Sequence, residues 1–265
     1  DVPIAPGVPF ARGHSGKALH GRRLTIPGDQ STHALAPATG FVSTAADLVR
    51  FFRQTSPNAP GALLTPTSRR LMTHAQWPDP WSALKSSYGL GVITGDLDGW
   101  ELFGHTGGFV GYASRTAVAP AHELAVSCLA NAVDGSAYGW LDGTFAILRR
   151  FKEDGPPAAA LNDWRGRWWS LWGPTDLVPV GDKVLLAAPG APNPLLKAGE
   201  LEVSGPDQAR ISQAGGFATY GEPAQLIRGA DGAVSEVKLG GGRLVSEAAL
   251  AAETLARYEA EGAPV

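Results

Sequence analysis

The sequence predicts an α+β fold: an antiparallel sheet with helices, followed by a small antiparallel barrel. Three observations predict it. Residues 88–130 alternate apolar runs with tight turns, the pattern of a strand meander. The segments opening near Thr44 and near Ser136 carry helix start signals and apolar positions at helical spacing. Beyond residue 160, short apolar runs recur between turn signals, which is the texture of a barrel or sandwich.

The elements follow in order. Residues 1–42 are rich in Pro, Gly, His and Arg and have little periodicity, so they read as irregular chain lying over a larger body, with Arg22 to Ile26 as a short strand. A helix opens at Thr44, with Asp47 as its capping partner, and puts Leu48, Phe51 and Phe52 on one face. Pro57 closes it. A second helix runs from Pro66, at a first-turn position, to about His74. Tyr88 to Thr94 reads as a strand, Asp98-Gly99 as a turn, and Trp100 to Thr106 as the returning strand. Tyr112 to Val118 and Glu123 to Ala130 complete a four-stranded meander. A helix to about Phe151 follows, with Trp140, Phe145, Leu148 and Phe151 as its apolar face and Arg149-Arg150 complementing its C-terminal dipole.

Glu153-Asp-Gly-Pro-Pro-Ala-Ala-Ala is a linker by composition. The expected division is therefore residues 1–152, a linker over 153–160, and a barrel with a terminal helix over 161–265. Trp164, Trp168, Trp169 and Trp172 are expected to furnish the core of that barrel or a lip on it.

Composition narrows the function. The chain has 265 residues, 44% of them hydrophobic, enough for a substantial core in one domain or two. A net charge of −3 supplies no basic field for nucleic acid. The single cysteine, Cys128, lies in an apolar run, where burial is expected over reactivity. The histidines at 14, 20, 33, 74, 105 and 122 have no zinc-ligand spacing, so neither a metal nor a cofactor is expected. No apolar run is long enough to span a bilayer, and no signal peptide is visible. The opening Asp1-Val-Pro-Ile-Ala-Pro-Gly reads as a mid-protein loop.

Chemistry concentrates in Phe103-Gly104-His105-Thr106-Gly107-Gly108-Phe109-Val110-Gly111-Tyr112, with four glycines in ten positions. His105 and Thr106 are expected near a strand end. Gly107 and Gly108 lack a Cβ, so another molecule's backbone can approach closely. One titratable side chain beside bare backbone suits a site that grips a carbonyl or carboxylate.

The order Gly40-Phe-Val-Ser43-Thr44-Ala-Ala-Asp47-Leu48, then Tyr88-Gly-Leu-Gly, then Gly104-His105-Thr106-Gly107-Gly108 with Gly111-Tyr112 resembles the serine β-lactamase-like hydrolases. That group includes class C β-lactamases, D-Ala-D-Ala carboxypeptidases, D-aminopeptidases and related esterases. The resemblance covers about residues 30–150, and residues 160–250 resemble the lipocalin-like barrel of some members. It implies a C-terminal portion of the catalytic domain, with a periplasmic or secreted location by analogy. The family uses Ser-x-x-Lys, then Tyr-x-Asn or Ser-x-Asn, then Lys-Thr-Gly or His-Thr-Gly. The third is present as His105-Thr106-Gly107. The resemblance implies that His105 favours negative charge on the substrate or assists proton movement. It also implies that Thr106 hydrogen-bonds the substrate and that the N–H of Gly108 is an oxyanion donor. Gly107 and Tyr112 are carried over as substrate-binding positions; Arg115 either reaches the pocket from the next strand or, as alternation allows and as is favoured here, stands in solvent.

Ser82-Ala-Leu-Lys85 and Ser56-Pro57-Asn58 match the other two motifs by letter only. Ser82 has at most one turn of helix before the 88–94 strand, and Ser56 precedes Ser82, which reverses the order of the motifs. The expectation is therefore a partner: an N-terminal chain or segment bearing Ser-x-x-Lys and Tyr-x-Asn, acting on a small peptide, amide or ester. The alternative is a non-catalytic ligand-binding module on the same fold. A third reading makes this chain complete and active through Ser82.

Overall fold

The structure, a computed structural model, describes residues 7, 9–17, 21–27, 31–82, 85–214 and 220–262. The chain divides into two compact units, Asp1–Thr144 and Phe145–Val265.

In the first unit, the described parts of residues 9–27 pair briefly around His14 and Thr25, with Ser15 N–H bonding the Leu24 carbonyl and Ile26 N–H the Gly13 carbonyl, a trace of the strand expected at 22–26. This segment lies along the later sheet: His14 N–H bonds the Gly111 carbonyl at 3.3 Å, and Asp134 holds Arg23 at 3.0 Å. Helix α1 (Ala36–Thr39) is a single turn. Helix α2 (Ala45–Thr55) starts as expected, with Thr44 Oγ1 accepting the Asp47 N–H at 3.2 Å. Phe52 is buried with Val92, Phe103 and Val118. Phe51, expected on the same face, is 62% exposed. Neighbouring helical residues point about 100° apart, so only one of the two can meet the sheet. Helix α3 (Pro66–Thr73) is capped by Thr65. Its buried Arg69 donates to the carbonyls of Ser56 at 2.9 Å and Ala59 at 2.5 Å, closing the loop between α2 and α3.

The six-stranded sheet is antiparallel and runs in chain order: β1 (Trp77–Pro78), β2 (Ser87–Tyr88), β3 (Ile93–Leu97), β4 (Trp100–Phe109), β5 (Tyr112–Ala119) and β6 (Leu124–Ala130). The single strand expected over Tyr88 to Thr94 is instead two strands and a turn. The Gly89 N–H bonds the Val92 carbonyl at 2.8 Å, and Gly91 takes a φ of +74°. The paired glycines of Tyr-Gly-Leu-Gly are turn chemistry, which overrides the apolar run. Asp98 and Gly99 form the expected tight turn, with φ of 51° and 89°. His105 and Thr106 are not at a strand end, because β4 continues to Phe109.

Register fixes the faces of the sheet. Phe103 pairs Val118, and His105 pairs Thr116, which pairs Ser127. This face carries the Phe52 cluster and therefore α2. Thr106 pairs Arg115 on the opposite face.

Helix α4 (Ala137–Asp154) follows the sheet. Of the apolar face expected at Trp140, Phe145, Leu148 and Phe151, only Phe145 is buried. The buried stripe is Ala137, Leu141 and Phe145, at steps of four; Trp140 is five residues from Phe145 and points elsewhere. The division between the units falls inside α4, short of the 153–160 linker. Arg150 of α4 bonds Asp154 at 3.1 Å and Glu200 at 2.7 Å, so the end of the helix joins the second unit.

The second unit is a closed barrel of β7 (Gly166–Ser170), β8 (Gly173–Val180), β9 (Lys183–Ala187), β10 (Gly199–Gly205), β11 (Gln208–Gln213), β12 (Pro223–Arg228), β13 (Val234–Leu239) and β14 (Gly242–Val245). Pairing of Val245 with Trp169 closes it. Leu161, Trp164, Leu177, Val184, Leu201 and Ile211 fill it, with others from each strand. Of the four tryptophans, Trp164 is the fully buried one and donates its indole N–H to the Pro206 carbonyl at 3.1 Å. Trp172 stands exposed at the tip of the β7–β8 hairpin. Helix α5 (Glu247–Glu261), capped by Ser246, ends the described chain.

Candidate active site

The sequence-predicted site lies on β4, and the pairing of that strand explains its openness. Strand β3 pairs with β4 from Trp100 to Gly104 and stops there. Strand β5 covers the other side of β4 through Phe109. From His105 to Phe109, β4 thus has a neighbour strand on one side alone among the described residues. Such an edge presents unpaired backbone groups that a second extended chain can meet. A Cβ at Gly108 would meet nothing within 4 Å, so this position is open to approach. At Gly107 a Cβ would strike the Ser114 hydroxyl, which would have to rotate away.

A cleft of about 160 Å³ brings together His105, Thr106, Ser82, Ser86, Asp96 and Arg115, among others. Both nitrogens of His105 are engaged. Nδ1 lies 2.5 Å from the Thr106 carbonyl, and Nε2 lies 2.8 Å from the Tyr88 hydroxyl. The Tyr88 and His105 rings meet edge to face with centroids 5.7 Å apart. Sequence reasoning gave Tyr88 no site role: it was the start of a strand and the first residue of the Tyr-Gly-Leu-Gly run in the resemblance. Its place immediately before the Gly-Leu-Gly turn was the available signal.

Arg115 is not in solvent. It pairs with Asp142 of α4 at 3.1 Å and lies over the Tyr138 ring at 5.9 Å. Burial pushes the Asp142 carboxyl above the usual carboxylate range, and the nearby Arg115 partly opposes it. Tyr112 pairs Phe109 at the β4–β5 turn and donates its hydroxyl to the Ala11 carbonyl at 2.9 Å, so the structure does not bring it to His105. Cys128 is half-buried on β6, and burial raises its thiol pKa.

Within the letter match Ser82–Lys85, residues 83 and 84 lie outside the described residues. The Lys85 N–H bonds the Ser82 carbonyl at 3.1 Å, and Lys85 has a φ of +49°. That is a turn, so Ser82 lines the cleft without the helix N-terminus that a Ser-x-x-Lys nucleophile uses. Ser56 caps the C-terminus of α2, away from the cleft lining. Among the described residues, no group of three or more His, Cys, Asp or Glu is placed to hold a metal ion, and no helix is long and apolar enough to cross a membrane.

The Beta-lactamase family model matches residues 2–147. Among solved structures, the chain is similar to the octameric penicillin-binding protein homologue from Pyrococcus abyssi, at 19% identity and a TM-score of 0.44, covering 89% of this chain and 53% of that one. It is also similar to SurE, at 21% identity and a TM-score of 0.41, covering 91% and 57%. A D-stereospecific amidohydrolase from Streptomyces sp. matches at 23% identity and a TM-score of 0.39, covering 47% and 36%. The chain thus spans about half the length of the first two. No curated protein matches it.

Proposed function

The chain belongs to the Beta-lactamase family, and from that premise we propose that it forms one wall of a serine hydrolase site working through an acyl-enzyme. A serine hydroxyl attacks the carbonyl of an amide, ester or β-lactam, the leaving group departs with a proton, and water then releases the acyl group. The observation that carries this reading is the open edge of β4 over His105–Phe109, bearing the His-Thr-Gly sequence and the unobstructed Gly108.

In this reading the Gly108 N–H donates to the developing oxyanion, a contact worth about two to three orders of magnitude in rate. The Thr106 hydroxyl hydrogen-bonds the substrate. His105 assists proton movement or steadies charge, and Gly107 keeps the strand flat against Ser114.

The nucleophile and lysine come from polypeptide outside these 265 residues, as a separate chain or a further segment. Two observations support that part. Ser82 sits on a turn. Large apolar side chains of the first unit also stand bare, Leu63 at 98% and Trp81 at 92% exposed, as expected of surface meant to be covered.

A fluorophosphonate or β-lactam probe tests the proposal in the assembled protein, followed by denaturing mass analysis. The expected adduct is on a serine outside residues 1–265. An adduct on Ser82, with turnover lost in Ser82→Ala, overturns the companion nucleophile. Complete absence of labelling overturns the hydrolase reading. A single denatured species about 20 kDa heavier than this chain shows one polypeptide instead of two.

A further inference from the structure

We propose that Tyr88 caps His105 and so makes this site select acyl substrates that lack a free carboxylate where they face the histidine. The proposal rests on the hydrolase reading and specifies its substrate class. A carbonyl oxygen only accepts, so the Nδ1 of His105 donates its hydrogen to Thr106. Nε2 is then the nitrogen left for a ligand, and the Tyr88 hydroxyl occupies it at 2.8 Å. With both nitrogens held, a substrate carboxylate must displace the Thr106 carbonyl or the Tyr88 hydroxyl to reach a ring hydrogen.

The other positive group among the cleft's described lining residues, Arg115, stands on the opposite face of the sheet from His105 and is committed to Asp142 at 3.1 Å. A carboxylate entering here would give up water without gaining a ring N–H, which is costly. A neutral ester, amide or thioester group makes no such demand. With its hydrogen given to Nε2, the Tyr88 hydroxyl can still accept the N–H of a neutral amide.

Tyr88 is thus a positioning residue: it holds His105 by one hydrogen bond and one ring contact. Its position beside the β2–β3 turn explains how it does so. The turn over Gly89–Val92 returns the chain to β3, which ends at the Gly104 pairing and leaves room for the Tyr88 ring beside His105.

Two measurements on the assembled protein test this. The first is kcat/KM for an acyl peptide ending in a free carboxylate against its methyl ester. The ester is expected to be favoured by about tenfold or more, the worth of one charge-assisted contact. Tyr88→Phe keeps the ring and removes the hydroxyl; it should narrow that ratio by lowering KM for the carboxylate. A preference for the carboxylate, or a ratio unmoved in Tyr88→Phe, overturns the proposal.

The second measurement is the imidazole ¹⁵N spectrum of His105 during titration with acetate. The Nε2 resonance should ignore acetate in the parent and respond to it in Tyr88→Phe. Equal response in both overturns the cap. If neither peptide is turned over, the hydrolase reading fails alone, and the acetate titration still decides whether Tyr88 blocks the ring.

Discussion

The barrel and the sheet are both antiparallel, yet one finishes itself and the other does not. In the barrel every strand has two neighbours, because β14 returns to β7. Its inward side chains meet one another around Trp164. The sheet ends at β6, whose outer edge has no partner strand among the described residues, and β4 loses its β3 neighbour after Gly104. Closure satisfies backbone groups and leaves none for a ligand, whereas an interrupted edge leaves both a place to bind and a need for further polypeptide. The chemistry-bearing residues accordingly sit on the unfinished element.

The comparison can be broken or sharpened by experiment. The largest effect is expected from His105→Ala in the assembled protein. Turnover should fall by about 10²–10⁴-fold, the usual worth of a proton-handling side chain, while the unfolding midpoint barely moves. Full activity in this variant would place the chemistry elsewhere.

Next comes Trp164→Ala. It should cost the barrel about 3–5 kcal/mol in denaturant unfolding, through a cavity and an orphaned Pro206 carbonyl. A loss below about 1 kcal/mol would mean that the barrel does not depend on its plug. Thr44→Ala removes the α2 cap and should cost the first unit about 1 kcal/mol, with the barrel transition unchanged.

The smallest effect is on pH dependence. Burial holds the Asp142 carboxyl above its ordinary value, so its contribution is present below that value and lost as pH rises through the raised one. The Arg243 guanidinium holds Glu253 low, so its contribution is present above the ordinary glutamate value and lost as pH falls through the lowered one. Acidification through the carboxylate range should therefore act on the two units with opposite sign through these groups. Asp134 is held low by the Lys17 N–H and by Arg23, and it opposes Asp142 within the first unit. The measurement is thus the difference between the parent and Asp142→Asn in midpoint against pH, with Glu253→Gln as its barrel counterpart. Slopes unchanged in both variants would remove the contrast.

Much of this was legible in the sequence, and the limits have physical reasons. The cap at Thr44, the helix start at Pro66, the Asp98-Gly99 turn and the β4–β6 meander follow from short-range rules and stand where those rules put them. The break between β2 and β3 was hidden because Tyr-Gly-Leu-Gly carries both a strand-like composition and a turn-making glycine pair. Burial on α4 was misjudged because hydrophobicity alone does not distinguish Trp140 from Leu141; only the partner surface does. At the candidate site, His105, Thr106 and the glycines could be found by letter. The Tyr88–His105 contact was invisible because it spans two strand connections. Arg115 was put in solvent because no local pattern shows that α4 would present Asp142 to it.

One indole buried in the barrel core against the β10–β11 turn has a practical consequence. A Trp164→Gly chain would carry a vacancy of the size and polarity of the group removed, with the Pro206 oxygen still facing it. Free indole added to such a chain is a natural occupant of that space. A plugged barrel of this kind is therefore a ready starting scaffold for chemical complementation, in which a soluble small molecule switches folding on and its dialysis switches folding off.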